Sequence, residues 1–116
     1  MDIRAKSHEL MREAIKDLEV GCYNKAVSAA YFSVRLVAES VLKGLKTRKD
    51  DKIANALERI LSRELGVEKA RDIKNSYMKL FVARKLADHR PISFSKDEAE
   101  AYVRVAGRLR EILLKL

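Results

Sequence analysis

At 116 residues, 47% of them hydrophobic, the chain is long enough to bury a core without metals or disulfides and too apolar to stay unstructured. One proline, four glycines and no tryptophan leave little of the turn chemistry an all-β fold needs, so that class is excluded. The net charge of +8 favours polyanionic partners without specifying one.

A single domain over residues 1–116 is expected, because no linker, repeat or low-complexity tract interrupts the sequence. Cys22 stands alone and no Cys/His cluster has zinc spacing, so neither a disulfide nor a metal or other cofactor is expected. Without a signal peptide or an apolar run of spanning length, the reading is a cytoplasmic protein that does not enter membranes. Glutamine is absent while Lys, Arg and Glu are abundant, a balance compatible with a thermophilic source.

The hydrophobic period is helical throughout. Segment 2–20 sets Ile3, Leu10, Met11, Ala14, Ile15 and Leu18 on one stripe and stops at Gly21. Segment 24–46 is the most apolar, with Val27, Tyr31, Val34, Ala38, Leu42 and Leu45 on one stripe. Its opposite side, Ala29, Phe32, Ser33, Leu36, Val37 and Ser40, is small or apolar where a solvent-facing helix would be charged. Such a helix is buried on both faces, and its second face meets another helix or a second copy of the chain. A homodimer through this helix is therefore expected. Segment 50–64 repeats Ile53, Leu57, Ile60 and Leu61 and ends before Gly66, and segment 67–87 carries Ile73, Tyr77, Leu80 and Phe81. Ser95 to Glu98 forms a capping box that opens the last helix, which runs Tyr102, Val105, Ala106, Leu109, Ile112, Leu113 and Leu116 along one face. Short connections imply antiparallel neighbours, so the expected fold is an all-α, up-and-down bundle of four to five helices.

The charge is uneven. Residues 68–90 hold seven Lys or Arg against three acids, half the net charge in a fifth of the chain. Within that region, at about 100° per residue and with Tyr77 at zero, Leu80 falls at about −60° and Phe81 at about +40°. Arg84 falls at about −20°, in the middle of the apolar stripe, and Asp88 follows at about +20° if the helix reaches it. A charge on a buried stripe needs a partner or a role. Arg84 can face the helix C-terminus, pair with Asp88 one turn later, or reach Glu39 beside the core stripe of segment 24–46. Lys85 points outward. His89 is placed just past the helix, in a loop before Pro91, and His8 on the surface.

The stretch YNKAVSAAYFSVRLVAESVL (23–42) resembles the second-helix signature of HEPN domains, the higher eukaryotes and prokaryotes nucleotide-binding family. Tyr23, Ala26, Ser28, Ala30, Tyr31, Phe32, Ala38, Glu39 and Leu42 carry the match. ARKLADHRPISFSKDEAEAYVRVAGRL (83–109) resembles the family's closing pattern of an arginine, a small residue with Asp-Tyr, a loop, Ser/Thr-x-x-Glu-Ala and a final Ala-x-x-x-Leu. The chain is similar to a small stand-alone prokaryotic or archaeal member, with residues 43–70 the vaguest part.

The resemblance implies a homodimer in contact through the second helix and the motif region. It also implies, as in many members, a metal-independent endoribonuclease or toxin, often restrained by a minimal nucleotidyltransferase partner. The family's site is an arginine and a histidine a few residues apart, met here by Arg84 and His89 with four residues between them. RNA cleavage by its own 2′-hydroxyl needs a proton acceptor, which imidazoles supply as a class, and a cation for the phosphate, which guanidinium supplies. Asp88 and Glu39 would support the pair, and Lys79, Lys85 and Arg90 would attract the RNA backbone. The alternative is a non-catalytic member that binds a nucleotidyltransferase or a nucleotide, with Arg84 in a structural ion pair. His89 stands where many members have the tyrosine of Asp-Tyr, and Lys85 replaces a polar residue. Pro91 occupies the place of the tyrosine that the toxin branch uses to accept AMP, so regulation by that modification is not implied.

Overall fold

The structure, a computed structural model, describes residues 2–45 and 48–116. Among the described residues there are five helices and no strand: α1 (Ile3–Glu19), α2 (Tyr23–Val41), α3 (Asp50–Leu65), α4 (Val67–His89) and α5 (Lys96–Leu114). They form the all-α bundle that the periodicity predicts.

Local chemistry sets most of the boundaries. Asp2 caps α1 by accepting from Arg4 N at 2.9 Å. Gly66 supplies the left-handed turn between α3 and α4 with φ of +92°, a conformation that costs glycine nothing. Ser95 and Glu98 exchange hydrogen bonds at the start of α5, Ser95 Oγ accepting from Glu98 N and Glu98 Oε1 from Ser95 N.

Two boundaries differ from expectation. α2 ends at Val41 because the chain leaves helical geometry at Leu42 and Gly44 turns left-handed at φ +90°. Leu42 stays buried, Leu45 is exposed rather than on the core stripe, and Lys46, the last residue assigned to that helix, lies outside the described residues. α4 continues two residues beyond 87, so His89 is its last residue rather than part of a loop. The stop comes from Pro91, which forces Arg90 into extended backbone at φ −120°, ψ 149°.

α2 is the central element and touches all four others. Val27, Tyr31, Val34 and Ala38 are fully buried, and so are Ala26, Ala30, Ser33 and Val37 on the adjacent face. α1 covers that second face, where Ser7 Oγ donates to Ser33 O at 2.7 Å and accepts from Arg110 Nε of α5 at 2.9 Å. Ser33 and Val37 therefore belong to the monomer's interior, and Ala29, Phe32 and Leu36 are the half-buried remainder of the apolar side. The core closes with Leu57 and Leu61 of α3, Leu80 of α4 and Leu113 of α5, each almost wholly buried and worth about 1.5–3 kcal/mol in transfer terms.

Candidate functional site

The last two turns of α4 lie against the first half of α2. Arg84 stands there on an aromatic shelf, its Cζ 4.9 Å from the ring centroid of Phe32 and 5.7 Å from that of Tyr31. Arg84 Nε lies 3.0 Å from Asp88 Oδ2, one turn later, as helical spacing allows. That contact is an ion pair by distance only, because the Nε is shielded from water and its N–H aligns on no acceptor. Asp88 also accepts from Ser28 Oγ of α2 at 3.3 Å.

Magnitudes say which contact places the guanidinium. A half-exposed ion pair contributes about 0–1 kcal/mol. A partly desolvated cation over an aromatic face contributes about 0.5–2 kcal/mol per ring, and here there are two rings. The shelf therefore fixes the arginine and Asp88 trims it. The side chain retains 26% exposure, so its outer edge can meet a ligand.

Glu39 is not the partner of Arg84. It binds Arg35 Nε at 2.9 Å, because Arg35 lies one turn earlier on the same side of α2 and nearer to it than the α4 shelf. His89 is exposed, and among the described residues it makes no hydrogen bond or ion pair. It lies five positions after Arg84, so the two project about 140° apart around α4. Lys79, Lys85 and Arg90 are exposed on the same helix and its cap, with Lys85 Nζ 5.3 Å from the Phe81 ring centroid. His8 is exposed on α1. No group of three or more His, Cys, Asp or Glu among the described residues has a metal-holding arrangement. No helix among them is long and apolar enough to cross a membrane.

A family model of the HEPN domain matches residues 2–116. The chain belongs to the HEPN family. No curated protein matches it by sequence. In this HEPN chain, Arg84, Asp88 and the α2 aromatics are brought together, whereas Glu39 is diverted and His89 faces elsewhere.

Two polar groups beside the HEPN motif region escape the periodicity. Asn24, at the start of α2, clamps the α4–α5 corner: its Nδ2 donates to Ala87 O at 3.3 Å and Ile92 O at 2.8 Å, and its Oδ1 accepts from Phe94 N at 2.9 Å. Behind the shelf, the buried Asp50 carboxylate accepts from Tyr31 Oη at 2.5 Å, Tyr77 Oη at 2.6 Å and Arg35 Nη1 at 3.2 Å. Arg35 also donates from Nη1 to Tyr31 Oη at 3.1 Å and from Nη2 to Arg48 O at 2.7 Å. Burial, then the Asp50 carboxylate, pushes the Tyr31 phenol up to about 12. Burial is also the leading cause raising Tyr77, helped by Tyr31 and Asp50. Tyr31 and Tyr77 stand on the apolar stripes of their helices, but nothing in the spacing marks Asp50, one of two acids in the first turn of α3, as their partner.

Proposed function

We propose that this HEPN protein is a homodimer that cleaves RNA without a metal, using Arg84 and His89. The observation that carries this reading is the arrangement on α4: a guanidinium held on two aromatic rings with its outer edge open, and an unpartnered imidazole on the next turn. Their divergence of about 140° on one helix favours a site completed by a second copy, in which Arg84 of one protomer meets His89 of its partner.

In this mechanism His89 takes the proton from a ribose 2′-hydroxyl, and the freed oxygen attacks the adjacent phosphorus. The bond from phosphorus to the 5′-oxygen breaks, and that oxygen leaves with a proton from water or from the imidazolium just formed. Arg84 holds the non-bridging oxygens as charge builds on them. Asp88 keeps the guanidinium turned on its shelf, and Lys79, Lys85 and Arg90 draw in the backbone. A minimal nucleotidyltransferase is the proposed partner, in a toxin–antitoxin-like pair. The place of the tyrosine that toxin members use to accept AMP is Pro91, so restraint would act by binding.

A second reading rests on the Arg84–Asp88 pair itself. There the arginine serves only the bundle, and the chain is a non-catalytic companion of a nucleotidyltransferase or a nucleotide. Incubating total RNA with the protein, with and without EDTA, separates the two. The nuclease reading expects cleavage indifferent to EDTA and lowered about 100-fold or more in both Arg84→Ala and His89→Ala. Equal cleavage by all three proteins would overturn it.

A further inference from the structure

The rings that seat Arg84 are themselves held by other groups. Phe32 and Tyr31 form its shelf, and Phe32 has no polar handle and is only half-buried. Tyr31 is different: it is fully buried, its ring meets Phe32 edge-on at 4.9 Å, and it packs against Tyr77 at 6.3 Å and Phe81 at 6.2 Å. Whatever fixes the Tyr31 ring fixes the shelf.

The para oxygen of Tyr31 is fixed from two sides. It donates to Asp50 Oδ1 at 2.5 Å and accepts from Arg35 Nη1 at 3.1 Å. Tyr77 of α4 donates to the same Asp50 oxygen at 2.6 Å, so one carboxylate on the first turn of α3 binds the phenols of α2 and α4 together. Arg35 also ties the chain entering α3 through Arg48 O. A buried carboxylate is a poor way to gain stability, since apolar residues of equal volume do as well or better. Fully satisfied, it specifies one geometry.

We infer that Asp50, Tyr77 and Arg35 are positioning residues that set the orientation of Arg84 through the ring of Tyr31. As a catalytic role, this rests on the proposal that Arg84 holds the phosphate; as a statement about the guanidinium's orientation, it stands without it. A small displacement of a charge-stabilising group is costly in rate while leaving overall binding to the exposed lysines largely intact.

The test has two arms, both on folded protein verified by circular dichroism. In the first, the Nε–Hε resonance of Arg84, assigned by its loss in Arg84→Lys, is recorded by 1H–15N NMR. It is expected upfield through the ring currents of Phe32 and Tyr31, and to move toward the free-arginine position in Tyr31→Phe and Asp50→Ala. An unmoved resonance in folded Tyr31→Phe overturns the inference, and this variant keeps the ring and most of the packing should Asp50→Ala fail to fold. In the second arm, Tyr31→Phe is expected to lower kcat for RNA cleavage about tenfold with KM little changed, and to cost nothing further in an Arg84→Lys background. Losses that multiply instead of overlapping overturn it. Should the wild-type protein cleave no RNA, the nuclease reading falls alone, and the resonance still decides whether the network aims Arg84.

Discussion

Tyr31 and Tyr77 share one oxygen of Asp50 in the interior, and the consequence is a pH limit on the alkaline side. The Tyr31 phenol is raised to about 12, above the ordinary value of about 10 that it regains on unfolding, and Tyr77 is raised in the same direction. A raised acid favours the unfolded, ionised chain once the pH passes the unfolded value. The stabilisation is complete below about pH 10 and disappears as the pH rises through 12, costing up to about 3 kcal/mol for Tyr31 alone. Urea unfolding at pH 8, 10 and 11.5 is expected to show this loss, Tyr31→Phe to lessen it, and Tyr31→Phe with Tyr77→Phe to flatten it. A pH-independent midpoint in the wild type would remove the phenols from the account. Arg84 was legible at this scale because helical spacing alone puts it on the stripe of Tyr77 and Phe81. The network behind it was not: Arg35 and Asp50 are 15 residues apart across a turn, and no period within either helix encodes their meeting.

At the level of elements, the corner between α4 and α5 combines a feature visible in the sequence with one that was hidden. The capping box is local, so Ser95 and Glu98 declare it by spacing alone. Asn24 declares nothing, because its three backbone partners, Ala87, Ile92 and Phe94, lie more than 60 residues away in the chain. The same distance explains the misplacement of His89. Periodicity fades near 87, and what carries α4 two residues further is tertiary support for its last turn, ended only by Pro91. Ser95→Ala is expected to cost about 1 kcal/mol through the lost cap, without moving the corner. Asn24→Ala strips the corner of three hydrogen bonds, two donated by the amide nitrogen and one accepted by its oxygen, and is expected to cost about 1–3 kcal/mol. Thermal unfolding ranks the two variants. Hydrogen exchange localises them, with amides 87–94 faster in Asn24→Ala and unchanged in Ser95→Ala. The reverse ranking would mean that the corner is held by its helix cap.

For the whole molecule, the question is what completes a motif whose two residues diverge on one helix. The all-apolar girth of α2 pointed to burial on both faces, and α1 accounts for much of the second: Ser33 and Val37 are interior. Ala29, Phe32 and Leu36 remain half-exposed between Lys25 and Glu39, beside the Arg84 shelf. A second copy seated on that strip would bring its own α4 to the shelf, placing one protomer's His89 near its partner's Arg84. Leu36→Glu is then expected to yield monomers by sedimentation and to abolish cleavage while leaving the fold intact. Mixing two inactive variants tests the composite site directly. An Arg84→Ala chain keeps its histidine and a His89→Ala chain keeps its arginine, so a heterodimer of the two assembles one intact site and one that lacks both groups. With random exchange about half the dimers are mixed, and each carries one working site of two, so the mixture should recover about a quarter of wild-type activity. A site built within one protomer has no such route, so a mixture as inactive as its components would overturn the composite site.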